Sequence, residues 1–216
     1  PNLSMNADLP SSRFKAILFD LDGTVYAGEK EVHGASDFIK KCLAQNIRCL
    51  YVTNRANRIP EVVRDQLLSY GIPCQTQDVV TTALVAARYI RSGSAYIIGE
   101  SGLETALRQQ GIALTDQSPD YVVVSIDRQF TYDKLAKAVE LIYRGAKFIA
   151  TNRDAKLKLE GHFVPGTGAI VAAVQTATGI APLVLGKPER PLIDMALEIC
   201  GCSPEETLLI GDNLAT

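Results

Sequence analysis

FDLDGT, residues 19–24, is the stretch on which the fold turns. It closes an apolar run, AILF at 16–19, with two aspartates two residues apart, a glycine and a threonine. A run that is apolar throughout and stopped by polar residues reads as a strand buried on both faces, as in a parallel sheet. Outward from it, CLYV at 49–52 is a second such run, ending in Thr53, Asn54 and Arg55. Between the two, Phe38, Ile39, Cys42 and Leu43 recur at helical spacing, which predicts a helix over 35–45. Strand, helix and strand make a right-handed βαβ unit. Pro60 at a first helical position, followed by Val62, Val63, Leu67 and Leu68, predicts a second helix closed by Gly71.

The alternation continues through the middle of the chain. YIIG (96–99), a helix over 101–110, YVVVS (121–125), a helix over 132–144 and KFIA (147–150) lead to PGTGAIVAAVQTATG (165–179), an apolar helix between glycine signals. LVLG (183–186), a helix through Cys200 and TLLIGDN (207–213) complete the pattern. Such alternation predicts a Rossmann-like, doubly wound parallel α/β sheet. Gly93 between two serines, and the stretch from Gly179 to Pro182, punctuate the chain where a second α/β module would be inserted. The expected division is a discontinuous core, 13–92 plus 182–216, around an inserted module at 93–181.

In open α/β sheets the ligand crevice lies beyond the carboxyl ends of the strands. Four expected strand ends supply Asp20, Asp22, Gly23 and Thr24; Thr53 and Asn54; Gly186, Lys187 and Pro188; and Gly211, Asp212 and Asn213. Three carboxylates, one ammonium and two hydroxyls suit a phosphoryl group beside a hard divalent cation. Asp20 and Asp22, two apart on an extended segment, leave it on one side, so one can attack phosphorus while the other moves protons. Gly23 allows a tight turn where a side chain would obstruct substrate.

The ordered set FDLDGT, VTN, GKP and GDN resembles the haloacid dehalogenase superfamily of phosphohydrolases. ATNRD, PGTGAIVAAVQTATG and GKPERPLIDMALE resemble its NagD-like, p-nitrophenylphosphatase-like branch, whose cap domain is inserted between the second and third motifs. The resemblance spans about Lys15 to Thr216. It implies that Asp20 is the nucleophile and Asp22 the general acid and base. Magnesium would be held by Asp20, the main-chain carbonyl of Asp22 and Asp212. Thr53, the Asn54 backbone and Lys187 would bind the phosphoryl group. Arg55 stands where the family often has asparagine, and either adds a phosphate or substrate contact or faces solvent. Asn152, with Thr151, Arg153 and Asp154, would face the leaving group if the cap closes over the core. The implied activity is phosphoric monoester hydrolysis of small sugar phosphates or nucleotides through an aspartyl-phosphate. The alternative is a catalytically weak or silent protein that keeps only the phosphate cradle. A receiver domain is disfavoured, because it would not need the inserted module.

Composition narrows the partners. The 22 basic and 24 acidic residues leave a net charge of −2, and 47% of residues are hydrophobic, which excludes disorder and a nucleic-acid polymer held by bulk charge. No apolar run reaches the roughly 18–20 residues of a membrane span, and no signal peptide opens the chain. Five cysteines without CxxC spacing read as reduced thiols, hence a cytoplasmic protein. His33 and His162 sit in no metal spacing and read as surface residues, and the glycines of PGTG read as helix capping and close packing. A homodimer through the cap is compatible with the resemblance. Met5 is taken as the natural start. Because the chain ends at Thr216, before a further acidic residue usual in the family, it is expected to be a fragment whose metal site lacks part of its support.

Overall fold

The computed structural model describes residues 13–159 and 162–212. Met5 and Asn213, on which two of the expectations rest, lie outside these residues.

The first strand, β1 (Ala16–Asp20), is buried at every position. A short antiparallel hairpin follows, β2 (Tyr26–Ala27) with β3 (Lys30–Glu31). Then come α1 (Ala35–Ala44), β4 (Arg48–Thr53), α2 (Pro60–Ser69), β5 (Val79–Thr81) and α3 (Thr82–Ile90). The next unit holds β6 (Ser94–Ile98), α4 (Ser101–Gln109), β7 (Ala113–Leu114), β8 (Tyr121–Val124), α5 (Tyr132–Tyr143) and β9 (Lys147–Ala150). An antiparallel hairpin, β10 (Lys156–Leu159) with β11 (His162–Pro165), leads into α6 (Thr167–Thr178). The chain finishes with β12 (Leu183–Val184), α7 (Arg190–Cys200) and β13 (Thr207–Ile210).

Two parallel sheets result, in the orders β13-β1-β4-β5 and β12-β9-β8-β6-β7. The expected doubly wound α/β architecture is therefore present. One assignment is corrected: LVLG was counted with the first sheet, whereas β12 pairs with β9 through Leu183–Ile149 and Val184–Ala150. Leu185 extends this contact by donating its N–H to the Ala150 carbonyl at 3.1 Å, and the chain then crosses to Lys187. By sheet membership the return crossing falls after Val184, not at 182.

The β5–α3 pair was not foreseen. Val79 and Val80 make too short a run to stand out, and six of the nine residues of α3 are buried, which erases the polar face that reveals a helix. The helix starts where the Thr81 hydroxyl accepts the Leu84 N–H at 3.3 Å. Its apolar side joins the two sheets. Ala83, Ala86 and Ile90 share one buried cluster with Leu18, Leu50 and Val80 of the first sheet and with Leu103, Leu107 and Val123 of the second unit. Closer approach is made at Gly102 in α4, where a Cβ would come within 2.5 Å of the Ala56 carbonyl oxygen and the Arg58 nitrogen.

Candidate active site

β1 and β13 run side by side, with Phe19 opposite Ile210, so the segments that leave them emerge together. Asp20, at the end of β1, is 9% exposed. Its Oδ1 accepts the Leu21 N–H at 2.8 Å and meets Lys187 Nζ at 2.7 Å. Lys187 is 4% exposed, so the pair is screened from water and each charge depends on the other. Gly23 lies at φ +86°, and a Cβ there would fall 2.3 Å from Asp212 Oδ2. The glycine thus brings the turn after β1 against the carboxylate after β13.

Asp22 has a different partner. Its Oδ2 is 3.2 Å from Arg55 Nε, and its side chain is 37% exposed. Burial pushes the Asp22 carboxyl above the ordinary carboxylate range; the Arg55 guanidinium opposes the shift and the Asp20 charge adds to it. The protonated form a general acid requires is favoured by that environment. Arg55 itself is 27% exposed and is paired with Asp22, a partner that neither reading of it had named.

Thr53 is 2% exposed, and its Oγ1 accepts the Arg55 N–H at 3.0 Å. Asn54 joins the two sheets. Its Oδ1 accepts the Lys187 N–H at 2.8 Å, and its Nδ2 donates to the Lys187 carbonyl at 3.1 Å and to Asp154 Oδ2 at 3.2 Å. Its main-chain oxygen accepts from Thr82 Oγ1 at 2.7 Å and from Asn152 Nδ2 at 2.6 Å. The Asn54 side chain is therefore committed to holding Lys187.

The expectation that 151–154 faces the leaving group changes accordingly. Thr151 is fully buried and donates to Ser125 Oγ at 3.0 Å. Asn152 is 3% exposed, with its amide nitrogen on Asn54 and its Oδ1 on the Asp154 N–H, which makes it a tether rather than an open substrate contact. Arg153 is exposed. Asp154 sits near Asp20 and Lys187, and burial pushes its carboxyl up against the opposing effects of Asn54 and Lys187. The PGTG glycines shape this segment as read: a Cβ on Gly168 would lie 2.4 Å from the Arg153 carbonyl, and the Gly168 N–H donates to the Asp154 carbonyl at 2.9 Å. Thr82 was missed; two threonines in the otherwise apolar 79–87 stretch were the available signal.

Asp20, Asp212 and the Asp22 carbonyl offer hard oxygen donors, which suit magnesium. Among the described residues no three His, Cys, Asp or Glu side chains gather at metal-binding spacing. The expected set needs only two side chains and a carbonyl, so the donor chemistry fits. His33 and His162 lie elsewhere, on the surface.

Comparison with known proteins shows the family. Residues 17–113 match the haloacid dehalogenase-like hydrolase family model, and residues 184–216 match a HAD-hydrolase-like model. The chain belongs to the haloacid dehalogenase-like hydrolases, in their NagD-like branch. The acid sugar phosphatase of Staphylococcus saprophyticus is 44% identical over 92% of this chain and 79% of its own length. The 5'-nucleotidase YutF of Bacillus subtilis is 37% identical over 94% of this chain and 81% of its own. The solved structure of NagD from E. coli K-12 superposes with a TM-score of 0.88 at 29% identity, covering 94% of this chain and 82% of NagD.

Proposed function

We propose that this chain is a magnesium-dependent phosphomonoester hydrolase for small phosphorylated metabolites, sugar phosphates or nucleotides, working through an aspartyl-phosphate. The observation that carries the reading is the pairing of Asp20 with Lys187 and of Asp22 with Arg55 where the chain leaves β1. Asp20 would attack phosphorus, forming the O–P bond of the acyl phosphate as the bond to the leaving oxygen breaks. Asp22 would give its proton to that oxygen, then take one from the water that cleaves the acyl phosphate. Lys187 and the Thr53 hydroxyl would hold phosphoryl oxygens, and Lys187 offsets the repulsion between a dianionic ester and the aspartates. Asp20, the Asp22 carbonyl and Asp212 would hold magnesium, which when bound supplies charge neutralisation at the phosphoryl group.

The relatives named acid sugar phosphatase and 5'-nucleotidase support this substrate range. The five free thiols and the lack, among the described residues, of a helix long and apolar enough to cross a membrane accord with a cytoplasmic setting. A homodimer through the second unit belongs to the same reading, with sedimentation as its check.

Phosphate release from p-nitrophenyl phosphate and a panel of sugar phosphates and nucleotides, with and without magnesium, tests the reading. Release that needs the metal and disappears in Asp20→Asn, with circular dichroism unchanged, is expected. Equal turnover by Asp20→Asn overturns the assigned nucleophile. Tight sugar-phosphate binding without release by the parent chain would favour a silent binding protein.

A further inference from the structure

A cavity of about 600 Å³ opens beside Asp22, between the β2–β3 hairpin, α2 and the loop after β8. Its lining includes Glu29 and three arginines, of which Arg55 is paired with Asp22 and Arg128 with Glu100, which leaves Arg58. Arg55 connects it to the chemistry, because its Nε touches the carboxylate assigned to protonate the leaving oxygen. That ion pair is made through Nε, on a guanidinium that carries five donors in all.

Arg58 carries the strongest signal. Its Nη1 donates to Gln66 Oε1 at 2.5 Å and its Nη2 to the Val62 carbonyl at 3.5 Å, both neutral acceptors. Among the described residues it forms no ion pair, so α2 orients the guanidinium without cancelling its charge. Arg128 is gripped by Glu100 through Nε at 2.7 Å and Nη2 at 2.8 Å. Glu100 also accepts from Asn57 Nδ2 at 3.3 Å, which ties the Arg58 loop to the Arg128 loop. Two further contacts stiffen these loops: the Gly102 approach to residues 56–58, and Asp127, which accepts the Gln129 N–H at 2.8 Å and Lys134 Nζ at 2.6 Å. The guanidinium groups of Arg58 and Arg128 are thus oriented before a ligand arrives, which reduces the ordering cost of binding.

We propose that this cavity is a second-phosphate subsite, and that the preferred substrates are small bisphosphates whose leaving group carries a phosphate of its own. Guanidinium groups match phosphate geometry in paired, charge-assisted hydrogen bonds. A leaving group departing past Asp22 would present its second phosphate to Arg58 and Arg128. The inference rests on the hydrolase reading for its direction, with Asp22 marking the leaving-group side.

The test uses fructose 1,6-bisphosphate, fructose 6-phosphate and p-nitrophenyl phosphate with the full chain and with Arg58→Gln and Arg128→Gln. Steady-state phosphate release gives the bisphosphate-to-monophosphate ratio in kcat/KM, and calorimetry on the Asp20→Asn chain gives the same ratio in affinity. The expected parent ratio is at least about tenfold in favour of the bisphosphate, and each arginine variant lowers it about ten- to a hundredfold. The preference should also shrink as salt rises. A parent that binds both fructose phosphates equally overturns the subsite, as do variants that lose all three ligands in proportion. Turnover of p-nitrophenyl phosphate by the parent reports separately on the hydrolase reading. If that turnover is absent, the calorimetric ratio still decides the subsite.

Discussion

Both sheets are parallel, and both have strands that lead into polar residues, yet those residues have different partners. At the carboxyl ends of β1 and β13 stand Asp20 and Asp212, with Lys187 on Asp20. After β8 and β9 stand Ser125 and Thr151, which are buried and bonded to each other, then Asn152, which is bonded to Asn54. On the proposed reading the same architecture serves chemistry in one unit and positioning in the other, and function follows the identity of a few strand-end residues, not the fold that presents them.

The sharpest way to break this contrast is to remove chemistry without removing structure. Asp20→Asn should lower kcat for p-nitrophenyl phosphate by about a thousandfold or more while the urea midpoint moves little. Lys187→Met should lose on both counts. It leaves the Asp20 carboxylate buried without its partner, at a cost of about 3–5 kcal/mol in urea unfolding, besides abolishing phosphate binding. Gly23→Ala puts an L side chain at φ +86° and against Asp212, so a loss of about 1–3 kcal/mol should accompany a fall in turnover. By contrast, Thr151→Val in the second unit should cost about 1 kcal/mol in stability and leave kcat within a few-fold, because the lost bond is to Ser125 and not to substrate.

The smallest effect concerns Asp154, where the two units meet. Its carboxyl titrates above the ordinary 3.8, chiefly through burial. The folded chain therefore holds more protons than the unfolded one between 3.8 and the raised value, and stability falls as pH rises through that window. Urea midpoints of Asp154→Asn taken across the window should show a flatter pH dependence than the parent. An unchanged slope would assign the titration to another group.

The groups proposed to react were legible because each follows an apolar run, where a strand stopped by polar residues is visible in one dimension. Asp20, Asp22, Thr53, Lys187 and Asp212 all came from that signal. The positioning groups were hidden for the converse reason. Asn54 and Asn152 carry no local sign of being 98 residues apart and hydrogen-bonded, and Thr82 lies in a helix too buried to show a period. The same blindness misplaced β12: an apolar strand announces that it is buried without saying against which sheet. Arg55 read as solvent-facing somewhat more readily than as a substrate contact, and its pairing with Asp22 carries no sign in the sequence.

The Asn54 clamp also bears on how members of this family could exchange parts. Asn54 and Thr82 lie in one unit, Asn152 and Asp154 in the other, and Lys187 follows the second crossing. A chimera grafting a foreign 94–184 segment onto this chain would inherit the clamp only if its own residues at 152 and 154 can reach Asn54. Those two positions form the compatibility key of the graft, and a mismatched donor would misplace Lys187 even with every reacting group intact.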